Sequence, residues 1–233
     1  MPESLMSYIV NPPAVRSLPI IGGSQRFPVR RVFCIGRNYA DHAREMGSTV
    51  DRETPIFFMK PADAIVSDGG DVAYPPRTKE LHHEVEMVLA LGSGGHELSL
   101  EQAQAAIWGY GVGLDLTRRD VQALLKEKRY PWDVAKAFDQ SAPVSALRPA
   151  SEAMPAADTV IQLNVNGQLR QQGVLGDMIF SSAEIIVLLS QQFVLQPGDL
   201  IFTGTPAGVA ALERGDRFQA ELAGIASFGG RVV

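Results

Sequence analysis

Glu84 and Glu86, in the segment H-H-E-V-E-M-V-L-A-L, are the strongest chemical signal in the chain. Alternate residues of a strand face the same side, so the E-x-E spacing sets two carboxylates together beside an apolar run of Val85, Val88 and Leu89. Two such charges repel and are poorly solvated unless a cation lies between them. The same spacing also suits the solvent-facing side of an edge strand, the ordinary place for Glu. Asp115 shifts the balance, because it interrupts the apolar, glycine-rich G-Y-G-V-G-L-D-L-T and falls at a strand end in or near the core. Its bland alternative is a cap or turn residue before Thr117. Three carboxylates without a cysteine describe an oxygen-rich site that suits Mg2+, with Mn2+ or Ca2+ as alternatives, and with open positions for water and substrate.

His42 and Glu45 stand three apart in N-Y-A-D-H-A-R-E, a spacing that puts them on one face of a short helix with the carboxylate able to orient the imidazole. That arrangement serves a general base acting on water. It serves a solvated surface pair equally well. Lys136 sits among Val134, Ala135, Ala137 and Phe138, so its ammonium is either partly desolvated against a negative ligand or snorkels to water. In I-F-T-G-T-P-A-G-V a strand ends in Thr203, Thr205 and turn residues, where hydroxyls and backbone N–H groups can hold a carboxylate. A plain tight turn would use the same residues.

Strand and helix signals supply the frame for these groups. Residues 1–30 contain Pro12, Pro13, Pro19, Pro28 and a Gly22-Gly23 break, which predicts an extended arm or short edge strands, able to cross to another subunit. The rest, 31–233, reads as one catalytic domain. R-V-F-C-I-G at 31–36 suits a buried strand, with Asn38 capping a helix through about Met46 before Gly47 ends it. P-I-F-F-M-K, G-D-V-A-Y-P-P and H-E-V-E-M-V-L-A-L read as short β runs. Ser99 and Gln102 form a capping box for a helix ending near Trp108, and Thr117 can cap a helix over R-R-D-V-Q-A-L-L-K-E-K. Asn166-Gly167 supplies the positive φ angles of a tight hairpin, and 182–193 an amphipathic helix. The class is α+β and β-rich, with a few short helices and a curled or closed sheet.

Composition excludes several other classes. The 233 residues are 45% hydrophobic and 20% charged, with 22 Gly and 15 Pro, so the chain is neither disordered nor collagen-like. Net charge is −5, from 21 Lys and Arg against 26 Asp and Glu without basic runs, which argues against nucleic acid as a partner. The lone Cys34 rules out an intramolecular disulfide framework and a cysteine-based zinc site. Glu3 stands where an export signal would place positive charge, and no apolar run approaches the roughly 20 residues that cross a bilayer. A cytoplasmic protein without membrane partners is the expectation.

Six ordered segments resemble the fumarylacetoacetate hydrolase family in its short bacterial form. They are C-I-G-R-N-Y-A-D-H-A-R-E-M-G, F-F-M-K-P-A-D, H-H-E-V-E-M-V-L, G-Y-G-V-G-L-D-L-T-R-R-D-V-Q, A-K-A-F-D-Q-S-A-P and P-G-D-L-I-F-T-G-T-P-A-G-V. The resemblance runs from about Arg31 to the C-terminus. It implies a mixed β-sandwich roll with short flanking helices, and a divalent metal, usually Mg2+, on Glu84, Glu86 and Asp115. It further implies a pocket for a small anionic 2-oxo acid contacted by Arg119, Gln122, Lys136 and Thr205 or Thr203, a lid helix bearing the water-activating pair His42 and Glu45, and a homodimer.

Within the family the look is that of enzymes cleaving fumarylpyruvate in the gentisate route of aromatic degradation, on the F-P-V-R-R approach together with A-R-E-M-G, L-H-H-E and K-A-F-D-Q-S-A-P. The implied activity is metal-dependent hydrolysis of a carbon–carbon bond in a 2,4-dioxo acid (an acylpyruvate). Oxaloacetate decarboxylases and enolate-forming isomerases of the family share the metal ligands and stay open as alternatives.

Overall fold

The computed structural model describes residues 8–45, 47, 52, 55–67 and 69–233. Its largest sheet runs in the order Ile56–Lys60, Arg31–Gly36, Asp199–Phe202, Val85–Leu91, Ile107–Leu114, Ala142–Val144 and Ile65–Ser67, with Arg148–Pro149 also paired to Ile107–Leu114. Pairing is mixed: Asp199–Phe202 lies parallel to Arg31–Gly36 and antiparallel to Val85–Leu91. The sheet curls into a half-barrel. It carries apolar residues on both faces, which is why its central strands read as continuous hydrophobic runs rather than alternating ones.

Strand parity assigns the carboxylates to one face. Val85, Met87, Leu89 and Leu91 enter the larger core, whereas Val88 and Ala90 enter a smaller one with Val32, Cys34 and Phe202. Glu84 and Glu86 therefore share the side of the smaller core. The neighbouring strand follows the same rule, with Tyr110, Val112 and Leu114 on the larger core and Gly111 and Gly113 between them. Register sets Glu86 against Gly113, where a β-carbon would come within 2.8 Å of the Phe202 ring. Glycine there lets the sheet close tightly below the carboxylates.

A four-stranded antiparallel sheet, Gln168–Val174, Val160–Val165, Arg217–Leu222 and Ala226–Arg231, covers the larger core. Val160–Val165 alternates buried and half-buried, with Ile161, Leu163, Phe218 and Ala220 turned inward, so two sheets sandwich that core. Asn166 and Gly167 both take positive φ, 52° and 77°, as a two-residue hairpin of the primed kind requires. Among the helices, Leu100–Ala106 and Ser182–Gln192 start with complete capping boxes, Ser99 with Gln102 and Ser181 with Glu184.

Three local expectations fail, each because a side chain or strand found a different partner. Asn38 caps no helix: its amide donates to Phe180 O at 3.0 Å and Thr203 O at 2.7 Å, and its Oδ1 accepts from Phe180 N, while the helix itself spans Ala40–Glu45. Met46, its expected far end, lies outside the described residues. Thr117 caps no helix either, because its hydroxyl donates to Asp115 O at 3.2 Å and the helix Arg119–Lys128 begins after Arg118 without a side-chain cap. In G-D-V-A-Y-P-P only Val72 pairs, through a single bridge to Val232. Within 1–30 the structure takes the edge-strand alternative: Ser17–Pro19 and Arg26–Pro28 pair with each other and bury Leu18 and Phe27 in the smaller core.

Candidate active site

The carboxylates meet at the end of the two central strands. One oxygen from each of Glu84, Glu86 and Asp115 lies within 4.8 Å of the others, and Glu86 and Asp115 are each 1% exposed. Asp115 is set in place by its own backbone, whose N–H donates to Glu84 O at 2.8 Å. Charge around the three is uneven. Lys136 Nζ donates to Glu84 Oε2 at 2.8 Å and to Asp115 Oδ2 at 2.6 Å, and Arg119 pairs with Glu84 Oε1. Among the described residues Glu86 receives only the Gly204 N–H, at 2.7 Å. Gly204 takes φ +92°, and a β-carbon there would come within 2.6 Å of Asn38 Cβ. Only glycine lets this turn press against Asn38 while aiming its N–H at Glu86.

Burial pushes the Glu86 carboxyl well above the usual carboxylate range, helped by the charges of Asp115 and Glu84 and opposed by Lys136 and the Gly204 N–H. Burial also acts upward on Glu84, yet Lys136 and Arg119, with a smaller contribution from His42, outweigh it and hold that carboxyl well below the usual range. For Lys136, burial disfavours the charge, but Asp115 and Glu84 prevail and raise its pKa.

The donor set fits a divalent cation. Among the described residues no cationic side chain is bonded to Glu86, which is buried beside two other carboxylates, and Asp115 Oδ1 is buried without a hydrogen bond. Lys60 Nζ forms an ion pair with that oxygen at 2.9 Å, while two of its three N–H groups go to the carbonyls of Leu116 and Lys136. Asp115 Oδ1 thus faces an ammonium as an ion pair, and Glu86, buried beside two carboxylates, is the group that most calls for a hard ion with oxygen ligands.

Around the triad the fold gathers His42, Arg119, Gln122, Lys136 and Thr205 in one cavity. His42 is 6% exposed and its Nδ1 lies 3.3 Å from Glu45 Oε2. Glu45 stands behind it, its two oxygens each 3.2 Å from the Gly208 N–H, which ties the helix to the loop after Asp199–Phe202. Gln122 Oε1 accepts from Arg119 at 2.6 Å. Thr203 is not in the cavity: its hydroxyl donates to Met87 O at 3.0 Å inside the sheet.

The cavity is small, about 30 Å³, whereas a far larger one, about 780 Å³, opens near Met87, Tyr110 and Met154. Met87 faces away from Glu86, and no cluster of ionisable groups converges there, so chemistry outweighs size in locating the site. Several residues at or beside the site escaped the sequence reading, among them Arg37, Lys126 and Trp132 in the cavity wall and two buried polar groups, Lys60 and Gln171. Lys60 is a buried charge ending an apolar strand, the same signal that singled out Asp115. Gln171 is buried in an otherwise mostly exposed strand and gave no sequence signal at all.

Comparison with known proteins agrees with this geometry. Residues 31–233 match the family model described as Fumarylacetoacetate (FAA) hydrolase C-terminal. The crystal structure of fumarylpyruvate hydrolase from Pseudomonas aeruginosa in complex with Mn2+ and pyruvate superposes with a TM-score of 0.95 at 48% identity, covering 97% of this chain and 99% of that one. Oxaloacetate tautomerase YcgM of Escherichia coli (strain K12) is 44% identical over 191 residues, 82% of this chain and 87% of its own. The mitochondrial oxaloacetate tautomerase FAHD1 of Rattus norvegicus is 43% identical over 198 residues, 85% of this chain and 89% of its own. The chain belongs to the fumarylacetoacetate hydrolase family.

Proposed function

We propose that the protein hydrolyses the C3–C4 bond of a 2,4-dioxo acid, with fumarylpyruvate as the foremost substrate and fumarate and pyruvate as products. The convergence in one cavity of a buried carboxylate triad, the cations Lys136 and Arg119, and His42 with Glu45 behind it carries this reading. The Mn2+ and pyruvate in the Pseudomonas aeruginosa relative support it. Glu84, Glu86 and Asp115 would hold a divalent cation, which supplies Lewis-acid charge for the carboxylate and 2-oxo oxygens of the substrate. Arg119 and Lys136 attract the anionic substrate and offset the negative charge that develops on the pyruvate fragment. His42 presents Nδ1 to Glu45, so Nε2 is the atom left to take a proton from water. That water adds its oxygen to C4, the C3–C4 bond breaks, and the electron pair stays on C3 until a proton arrives.

Oxaloacetate tautomerisation is the second reading, favoured by the Escherichia coli and Rattus norvegicus relatives. It needs proton movement at C3 and no attacking water, so the products divide the two. The test incubates the protein with Mn2+ and fumarylpyruvate, and separately with enol-oxaloacetate, and identifies what forms. Fumarate and pyruvate, with His42→Ala at least about a hundredfold slower and Mn2+ affinity unchanged, is the expected result. Rapid tautomer exchange with no cleavage of any acylpyruvate would replace the first reading with the second.

A further inference from the structure

Gln171 reaches out of the four-stranded sheet to the back of the site. It is 1% exposed, although Arg170 and Gln172 on either side face solvent. Backbone groups fix the orientation of its amide. Oε1 lies 3.1 Å from Val85 N, which can only donate, and Nε2 lies 2.9 Å from Pro206 O, which can only accept. The amide therefore cannot be reversed. His83 Nδ1, 2.8 Å from Oε1, must then carry its proton toward the glutamine. Thr205 Oγ1, 2.8 Å from Nε2, must accept. A hydroxyl has a single proton, and among the described residues no group accepts that of Thr205. Thr205 lines the cavity with Glu84, Glu86 and Lys136.

We propose that Gln171 is a positioning residue that fixes the Thr205 hydroxyl as a hydrogen-bond donor aimed at the ligand in the cavity. The inference rests on the reading of that ligand as a 2-oxo acid, whose carboxylate oxygens accept such a proton. Without Gln171 nothing holds the hydroxyl as an acceptor toward the sheet, and it can turn to present lone pairs to an anion instead. The cost then falls on ligand affinity and not on the carboxylate triad.

Calorimetric titration of pyruvate into the Mn2+-saturated protein tests this without turnover. Thr205→Val should weaken pyruvate binding roughly tenfold, the scale of one hydrogen bond to a charged group, while Thr205→Ser should bind as wild type does. Gln171→Met should weaken binding by a similar factor, and the Gln171→Met/Thr205→Val double variant should bind no more weakly than Thr205→Val alone. Gln171→Glu, closer in shape to the native residue, should also weaken binding, because an oxygen in the place of Nε2 takes the hydroxyl proton. Mn2+ affinity should stay unchanged throughout. Factors that multiply in the double variant, wild-type affinity in Gln171→Met or Gln171→Glu, or a parallel loss of Mn2+ affinity would overturn the positioning role while leaving the functional reading intact. Failure of the wild type to bind pyruvate with Mn2+ present would overturn the functional reading and this inference together.

Discussion

Glu84 and Glu86 stand two residues apart on one side of the sheet, yet their surroundings are opposite. Glu84 has a cation on each oxygen, whereas Glu86 has one backbone N–H and two carboxylate neighbours. Their neutral isosteres should therefore act in opposite directions on the metal-free protein. Glu84→Gln breaks buried ion pairs and should cost on the order of 3 kcal/mol. Glu86→Gln removes a buried charge that lacks a partner and keeps an oxygen for Gly204, so it should add roughly 1 to 2 kcal/mol. Both should reduce Mn2+ affinity. Urea denaturation with chelator and Mn2+ titration measure the two effects, and a destabilised Glu86→Gln would show that its charge is compensated after all.

The elements that hold the site were legible in the sequence to different degrees, and the limit is physical. Strands such as Arg31–Gly36 and Val85–Leu91 announce themselves because their burial is a property of consecutive residues. The E-x-E and Asp115 signals followed from the same strand geometry. Asn38, by contrast, looks like a helix cap and instead bridges Phe180 and Thr203, partners 142 and 165 residues away. No local pattern encodes that. Lys60 could have been found as a charge in an apolar strand; Gln171 depends wholly on which sheet covers it.

The Asn38 bridge also makes the Ser182–Gln192 helix part of the site's support, because Phe180 precedes its cap. Ser181→Ala should cost about 1 kcal/mol. Its partner Glu184 has its carboxyl held below the usual value, first by the Ser181 N–H, then by the Ser181 hydroxyl, against slight burial and with help from Arg52. An acid so depressed contributes stability that is fully present above its unfolded value of 4.5 and is lost as pH falls through the lower folded value. The stability gap between wild type and Glu184→Gln should thus be widest near neutrality and close below pH 4.5. A gap that widens on acidification would contradict the box.

At the scale of the whole molecule, the triad joins parts of the chain that only folding brings together. Glu84 immediately precedes one central strand and Glu86 lies within it, Asp115 follows its neighbour, and Gly204, which holds Glu86, comes just after a third strand of the same sheet. An unfolded chain has no such cluster, so a divalent ion should bind the native state alone and stabilise it by RT ln(1 + [L]/Kd). At a hundredfold excess over Kd that is about 2.7 kcal/mol, which for a chain of this length corresponds to roughly 5 to 10 °C in Tm. Thermal unfolding with Mn2+ or Mg2+ against chelator should show this rise. An Asp115→Asn/Glu86→Gln variant, left with Glu84 as the triad's one carboxylate, should lose most of it. Histidines could bind added metal elsewhere, and the variant separates the two cases, because a rise that survives in it belongs to another site. No rise in the wild type at millimolar metal would mean that Lys136, Lys60 and Arg119 already satisfy the carboxylates, and the triad would then be structural.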